Sequence, residues 1–212
     1  CLAGDTVAAI QVPERQHRDH LTARDRVRLG MPDDYALGWL PRALDRVGLE
    51  RVELEISCDQ SAHLMAAVQR SELDLALVTL AARPAQAIAT LEVPLHWVRR
   101  HGATVDGRLA AYPEGCVFRR AMIAALEAEG AGWTVAVQSG SHAGIFAAVR
   151  AGVAVTSVAA GTAPPDLEEV ASDAGLPALP RVPVYLVTTP HLRPAARRMA
   201  EALQAVLSEM AV

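Results

Sequence analysis

The stretch VELEISCDQSAHLMAAVQRSELDLALVTL, residues 52–80, carries the pattern that decides the fold. Its first six residues, VELEIS, are typical of a β-strand, and the polar CDQS that follows indicates a loop. Leu64 and Val68, with Leu73 beyond them, then fall on one face of a helix, and the apolar run LDLALVTL indicates a buried strand. A strand, a helix and a second strand in this order predict a parallel α/β sheet with right-handed crossovers.

The same order of elements recurs on both sides of this stretch. Upstream, RVRLGM is predicted as a strand and PDD as a turn, and Leu37, Leu40, Leu44 and Val47 follow at helical spacing. Downstream, two further strand, loop and helix units start at LAAY and WTVAVQS, and VPVYLVTT leads into a closing helix that begins near Pro194.

Two segments interrupt this repetition. LEVPLHWVRR is a predicted strand whose Pro94 indicates an edge or crossing position, because proline cannot donate to a sheet ladder. GTAPPDLEEVASDAGLPALP, residues 161–180, is rich in proline and is predicted to be a surface excursion.

The composition limits the classes of function. The chain has 212 residues, 51% of them hydrophobic, and a formal net charge of -4, so it can build one large domain or two lobes and has no excess positive charge for nucleic acid. No apolar run is long enough to span a membrane and no secretory signal begins the chain, so a cytoplasmic location is expected. The three cysteines have no metal-ligand spacing, and we predict no metal and no cofactor.

Five phrases carry a resemblance to a known family: RVRLGMPDDYALGWLPRAL, VELEISCDQSAHLMAAVQRSELDLALVT, PEGCVFRRAMIAALE, QSGSHAGIFAAVRAGVAVTSV and VYLVTTPHLRPAARRMAEAL. In this order they resemble the effector-binding domain of LysR-type transcriptional regulators, over nearly all of residues 26–207. The resemblance implies an α/β fold of two Rossmann-like lobes with periplasmic-binding-protein type II architecture, joined by two crossover strands, LHWVRR and PVYLVTT. A small effector is then expected in the cleft between the lobes.

The resemblance also predicts the domain bounds. Residues 26–98 and 190–212 form the first lobe, residues 99–189 form the second lobe, and residues 1–25 are a linker remnant. The winged helix-turn-helix that precedes this domain in the family is expected to be absent from this chain. Ser71 stands where the family commonly has glycine, so it must make the turn after a helix without glycine's freedom at positive φ.

Candidate ligand-binding residues follow from the rule that open α/β sheets bind ligands outside the carboxyl ends of their strands. In the first lobe these are Pro32, Asp33, Asp34, Gln60, Ser61 and Thr79, and in the second they are Gly115, Cys116, Val117, Phe118, Ser139, Ser141 and Ser157. Free amides at the helix starts suit an effector that bears a carboxylate. Alternatively, Ser61 and Ser141 are ordinary helix N-caps.

Asp33 and Asp34 point in another direction, because one of these carboxylates could select an amine or a hydroxyl group on the effector. The alternative is that both are solvated. His63 and His142 follow the two predicted caps and could face the cleft, but they are expected to be solvated residues of a first helical turn.

The leading hypothesis is a sensing domain without enzymatic activity. The resemblance implies a homodimer through this domain, a tetramer as a further form of the full-length protein, DNA contact only through the absent N-terminal domain, and no membrane partner. One alternative is a periplasmic-type solute-binding protein. Another is a Cys116-dependent enzyme, with His142 and either Asp33 or Glu114 completing the catalytic group, or a redox sensor at Cys116; a structural or ligand-lining cysteine is favoured over both.

Overall fold

A computed structural model describes residues 26–47, 52–104, 106–170 and 176–210 of the chain, and the linker remnant predicted at residues 1–25 lies outside these ranges. The strands are β1 Arg26–Met31, β2 Glu53–Cys58, β3 Leu75–Thr79, β4 Ala87–Arg99, β5 Arg108–Ala111, β6 Thr134–Gln138, β7 Thr156–Ala159, β8 Glu168–Val170 and β9 Arg181–Thr188. The helices are α1 Asp33–Gly38, α2 Leu40–Val47, α3 Ser61–Gln69, α4 Val117–Ala128, α5 His142–Arg150 and α6 Pro194–Met210.

The sheets divide between two α/β lobes, as the sequence predicted. The larger sheet has the strand order β2-β1-β3-β9-β4-β7, and β8 pairs with β4. In the first lobe β1 runs parallel to β2 and β3, while β9 runs antiparallel to β3 and β4. In the second lobe β5 and β6 pair in parallel, and Leu109 bridges to Val155 just before β7. The strand β4 belongs to both lobes.

Pro94 lies at the position where β4 passes from one lobe to the other. Up to Pro94 the strand pairs with β9, and from Leu95 onward it pairs with β7. The Pro94 carbonyl accepts a hydrogen bond from the Ala160 amide, so the residue contributes its acceptor although it has no N–H to donate. The crossing position that was predicted for this proline is therefore the one it occupies.

Helices cover both faces of the first-lobe sheet, which explains why β3 is apolar from Leu75 to Val78, up to its last residue, Thr79. Leu75 and Leu77 belong to the core on the side of α2 and α6, whereas Ala76 and Val78 pack on the other side against α3. Successive side chains of a strand point to opposite faces, so a strand that is covered on both faces favours apolar residues at every position. In the second lobe α4 and α5 likewise pack into separate cores.

Several local predictions were wrong. The turn PDD is the start of α1, with Asp33 and Asp34 in its first turn, and α1 ends at Gly38 so that α2 is a separate helix. Leu37, which was predicted on the packed face, is 68% exposed. The helix predicted from residue 62 to 73 ends at Gln69. The surface excursion of residues 161–180 contains the strand β8.

The position of β9 differs from the one that the predicted lobe bounds imply, while the bounds as a whole stay a prediction. The bounds placed residues 99–189 in the second lobe, but β9 pairs with β3 along the whole length of β3. It therefore lies within the first-lobe sheet.

Candidate functional site

A cavity of about 500 Å³ lies between the two lobes. Its walls come from the carboxyl ends of β1, β2 and β3 on one side and of β5 and β6 on the other, together with the helix starts that follow. The lobes approach closely here, because a Cβ atom placed on Gly140 would lie 3.8 Å from Gln60 Nε2 in the opposite lobe. A cleft at the carboxyl ends of strands is the usual place for a ligand in this fold class.

All but two of the predicted ligand-binding residues line this cavity. They are Pro32, Asp33, Asp34, Gln60, Ser61, Thr79, Gly115, Cys116, Val117, Phe118 and Ser141. Their role in binding stays a prediction, but the fold brings them together from four helix starts and the end of β3. Gly115 has a φ of 92°, a conformation that favours glycine, and so the loop before α4 depends on this residue.

Ser139 and Ser157 do not line the cavity. The Ser139 hydroxyl accepts a hydrogen bond from the Ser141 amide at 3.0 Å and donates one to the Ser141 carbonyl at 3.2 Å. Ser157 is the second residue of β7, which begins at Thr156, and it is 3% exposed. The prediction that it stands at the carboxyl end of its strand was wrong.

Hydroxyl groups of the first lobe form a small network at the cavity wall. The Ser61 hydroxyl accepts a hydrogen bond from the Thr79 amide at 3.0 Å, and the Thr79 hydroxyl is hydrogen-bonded to the Tyr35 hydroxyl. Gln60, not Ser61, is the N-cap residue of α3. Ser141 does stand at the N-cap of α5, but its side chain makes no capping hydrogen bond. The N-cap alternative therefore fails for the Ser61 side chain.

His142 and Tyr112 form the wall on the side of the second lobe. The Tyr112 hydroxyl lies 3.0 Å from His142 Nδ1, and within the described chain His142 Nε2 is buried without a hydrogen-bond partner. Burial lowers the pKa of His142, so its imidazole is neutral near pH 7. His142 is 8% exposed, and the expectation of a solvated histidine was wrong.

The charged residues that line the cavity are acidic. Asp33, Asp34, Asp59 and Glu114 contribute carboxylates, and the described lining residues include neither arginine nor lysine. Asp34 is 7% exposed, and burial raises its pKa to about 7, although its own amide and that of Tyr35 donate hydrogen bonds to the carboxylate.

Cys58 and Cys116 both line the cavity, as was predicted for Cys116 but not for Cys58. Burial raises the pKa of each thiol, and Asp33, which accepts a hydrogen bond from the Cys58 thiol, raises that pKa further. Reactive cysteines depend on a lowered pKa. His142 Nδ1 is engaged by Tyr112 and its Nε2 has no partner, so among the described residues His142 does not activate Cys116. The geometry disfavours a cysteine nucleophile.

Sequence reasoning missed Tyr35 and Tyr112 as residues of the cavity wall. Tyr112 is the last letter of the predicted strand LAAY, so the rule that selected the neighbouring loop could have selected it as well. Tyr35 could not be found in this way, because its position depends on α1 starting at Asp33. Among the described residues there is no group of three potential metal ligands, and none of the helices there could span a membrane.

Comparison with known proteins places this architecture in a family. Residues 21–208 match the family described as the LysR substrate binding domain. The HTH-type transcriptional regulator DgdR of Burkholderia cepacia is 31% identical over 166 residues, which cover 76% of this chain and 56% of DgdR. The chain thus spans about half the length of the curated relatives it matches.

Solved structures show the same fold at low identity. The effector binding domain of BenM, solved with its effector benzoate, has a TM-score of 0.61 and 14% identity, over 87% of this chain and 92% of that chain. Full-length CbnR in complex with its target DNA has a TM-score of 0.63 and 13% identity, over 85% of this chain and 69% of that chain. On its sequence match over residues 21–208, supported by this fold, the chain belongs to the LysR substrate-binding domain family.

Proposed function

We propose that this chain is the effector-sensing domain of a LysR-type transcriptional regulator. A small molecule binds in the cavity between the lobes and changes their relative arrangement, and an N-terminal helix-turn-helix of the full-length protein transmits that change to DNA. The observation that carries this proposal is the cavity itself, because both lobes contribute its walls. A ligand that touches both walls must bind one arrangement of the lobes better than another.

A direct contact between the lobes lies next to the cavity. The Trp39 ring stacks on Tyr35 with centroids 4.2 Å apart, and Trp39 Nε1 donates a hydrogen bond to the Ala160 carbonyl at 3.1 Å. Tyr35 lines the cavity, whereas Ala160 follows β7 of the second lobe. A ligand that moves Tyr35 therefore acts on an interlobe hydrogen bond through one aromatic contact.

The partners follow from the family. We propose a homodimer through this domain, a tetramer of the full-length protein, and DNA contact through the N-terminal part alone, in the cytoplasm. The net charge of -4 supports the assignment of DNA contact to the N-terminal part, because the chain has no excess positive charge for phosphates. The raised thiol pKa of Cys116 supports a non-enzymatic role and speaks against redox sensing at this residue. A solute-binding protein of the same fold is the weaker alternative, since the relative DgdR is a transcriptional regulator.

The test is a thermal-shift screen of metabolites against the domain and two glycine variants. A compound that binds only the folded protein raises its melting temperature. Gly140→Trp fills the cavity mouth, while Gly132→Trp adds the same side chain in open space before the opposite end of β6. We expect hits that stabilise the wild type and Gly132→Trp but not Gly140→Trp. Hits that stabilise Gly140→Trp equally would contradict binding in the cavity.

A further inference from the structure

The two buried carboxylates of the described residues have opposite surroundings. Asp74 is 7% exposed and accepts hydrogen bonds from the guanidinium groups of Arg28 and Arg193. Asp34 is equally buried, yet no arginine in the described part of the chain forms an ion pair with it. Buried acids are rare in proteins unless they are paired. The fold thus neutralises one of these groups and leaves the other at the wall of an open cavity.

The rest of the cavity adds negative charge around Asp34 and no positive charge. Asp33, Asp59 and Glu114 line the same space, and Asp33 acts on Asp34 by like-charge repulsion. Tyr35 and His142 are also buried ionisable groups on the wall. A tyrosine has no positively charged form, and His142 is a neutral imidazole whose Nε2 has no partner within the described residues, so neither offers a cation. A positive group that enters the cavity is attracted by every charge on its wall.

We propose that the effector carries a protonated amine, which Asp34 binds in the cavity with Asp33 beside it, an inference that rests on the proposed function. An ammonium group supplies the positive charge that Asp34 lacks in the free protein, with further hydrogen-bond donors beside the two backbone amides. The amide groups at the starts of α3, α4 and α5 can bind a carboxylate on the same molecule, so the inference covers zwitterions. An anion without an amine would leave Asp34 buried and unpaired.

Pairs of compounds that differ in one group test this inference. Alanine and lactate, benzylamine and benzyl alcohol, and ethanolamine and ethylene glycol each differ by an amine that a hydroxyl replaces. Binding of each compound is measured by calorimetry to the wild type, to Asp34→Asn, to Asp45→Asn and to Gly140→Trp. Asp45 is an exposed carboxylate on α2 outside the cavity, so its variant controls for the loss of one charge.

We expect the amine-bearing members alone to bind, with an affinity about tenfold or more lower in Asp34→Asn and unchanged in Asp45→Asn. If the hydroxyl members bind as tightly as the amines and Gly140→Trp abolishes that binding, the proposed amine selectivity is wrong, but the proposal of a sensing cavity is retained. Binding that persists in Gly140→Trp would instead overturn the cavity, and with it the proposed function. The two failures are therefore distinguishable.

Discussion

Asp74 accepts a hydrogen bond from Arg193 across 119 residues of sequence, with 3.1 Å between Arg193 Nη2 and Asp74 Oδ2. Arg193 directly precedes α6, and Asp74 directly precedes β3. The same carboxylate accepts hydrogen bonds from the Arg28 amide and guanidinium, both at 2.8 Å. One side chain thus joins β1, β3 and the segment by which the chain returns from β9 to α6, at the end of the sheet opposite to the cavity.

We expect Asp74→Asn to destabilise the domain by about 2 kcal/mol, because it removes charge-assisted hydrogen bonds from two partly buried arginines. Asp166→Asn is the matched control, since its ion pair with Arg150 is about half exposed on both sides and exposed ion pairs contribute little to stability. Urea unfolding of the three proteins measures both changes. Equal losses would show that Asp74 acts as an ordinary surface charge.

The sequence predicted the fold where local pattern and burial agree. In β3, an apolar run bounded by turns indicates a strand covered on both faces, and the strand is so covered. The break between α1 and α2 could not be predicted from local pattern. The last residue of α1, Gly38, lies so close to Gly161 that a Cβ atom on it would be 2.5 Å from the Gly161 carbonyl oxygen. That close approach joins residues distant in sequence, and no helical periodicity records it.

The positions of the loops that form the candidate site were predictable from the sequence, but the burial of their side chains was not. The carboxyl-end rule selects loops, and the loops before α3 and α4 do line the cavity. The rule carries no information on burial, so the desolvation of Asp34 and His142 was not predicted. Asp34 is the second residue of α1 and His142 is the first residue of α5, and a solvated side chain is the usual expectation at a helix start. Tertiary packing removes them from water, and for His142 this includes Tyr112 and Phe146 of its own lobe.

Asp34→Asn is expected to stabilise the ligand-free domain at pH 8. Because the pKa of Asp34 is about 7 in the folded state and 3.8 in the reference state, the folded protein binds more protons between these values, and stability falls as pH rises from about 4 to 7. The difference between pKa values of 3.8 and about 7 corresponds to about 4 kcal/mol, so removing the charge should recover about that much at pH 8 and almost nothing at pH 4. Thermal unfolding at both pH values measures this, and an equal effect at each would disprove the buried charge.

Amine binding is expected to strengthen with pH. Below pH 7 Asp34 is protonated and cannot pair with an ammonium, so the affinity should rise about tenfold from pH 6 to pH 8. The other ionisable groups that line the cavity are Asp33, Tyr35, Cys58, Asp59, Tyr112, Glu114, Cys116 and His142. Calorimetry with a bound amine at several pH values gives the slope. If Asp34→Asn keeps the same slope, another of these groups is responsible.

Ser71→Gly is expected to stabilise the domain by about 0.5–1 kcal/mol, because Ser71 has a φ of 57°, which favours glycine. The turn after α3 is held by the Ser71 amide on the Val68 carbonyl and the Glu72 amide on the Ala67 carbonyl, and glycine keeps both bonds. Ser208→Gly in α6 is the opposite control, since glycine inside a helix should destabilise by a similar amount. Chemical unfolding compares them, and changes of the same sign would refute the conformational argument.

Trp39→Phe tests whether the interlobe hydrogen bond transmits the effector signal. The phenyl ring can still pack on Tyr35, but the donor to the Ala160 carbonyl is lost, and we expect about 1 kcal/mol of destabilisation. Trp97→Phe is the matched control, because Trp97 is also fully buried and its Nε1 donates to the Pro177 carbonyl within the second lobe. Both variants should therefore unfold earlier by a similar margin. Only Trp39→Phe should reduce the effector-dependent change in the radius of gyration, measured by small-angle X-ray scattering at saturating ligand. An equal reduction in both variants would mean that general loss of stability, rather than the Trp39 contact, governs how the lobes respond.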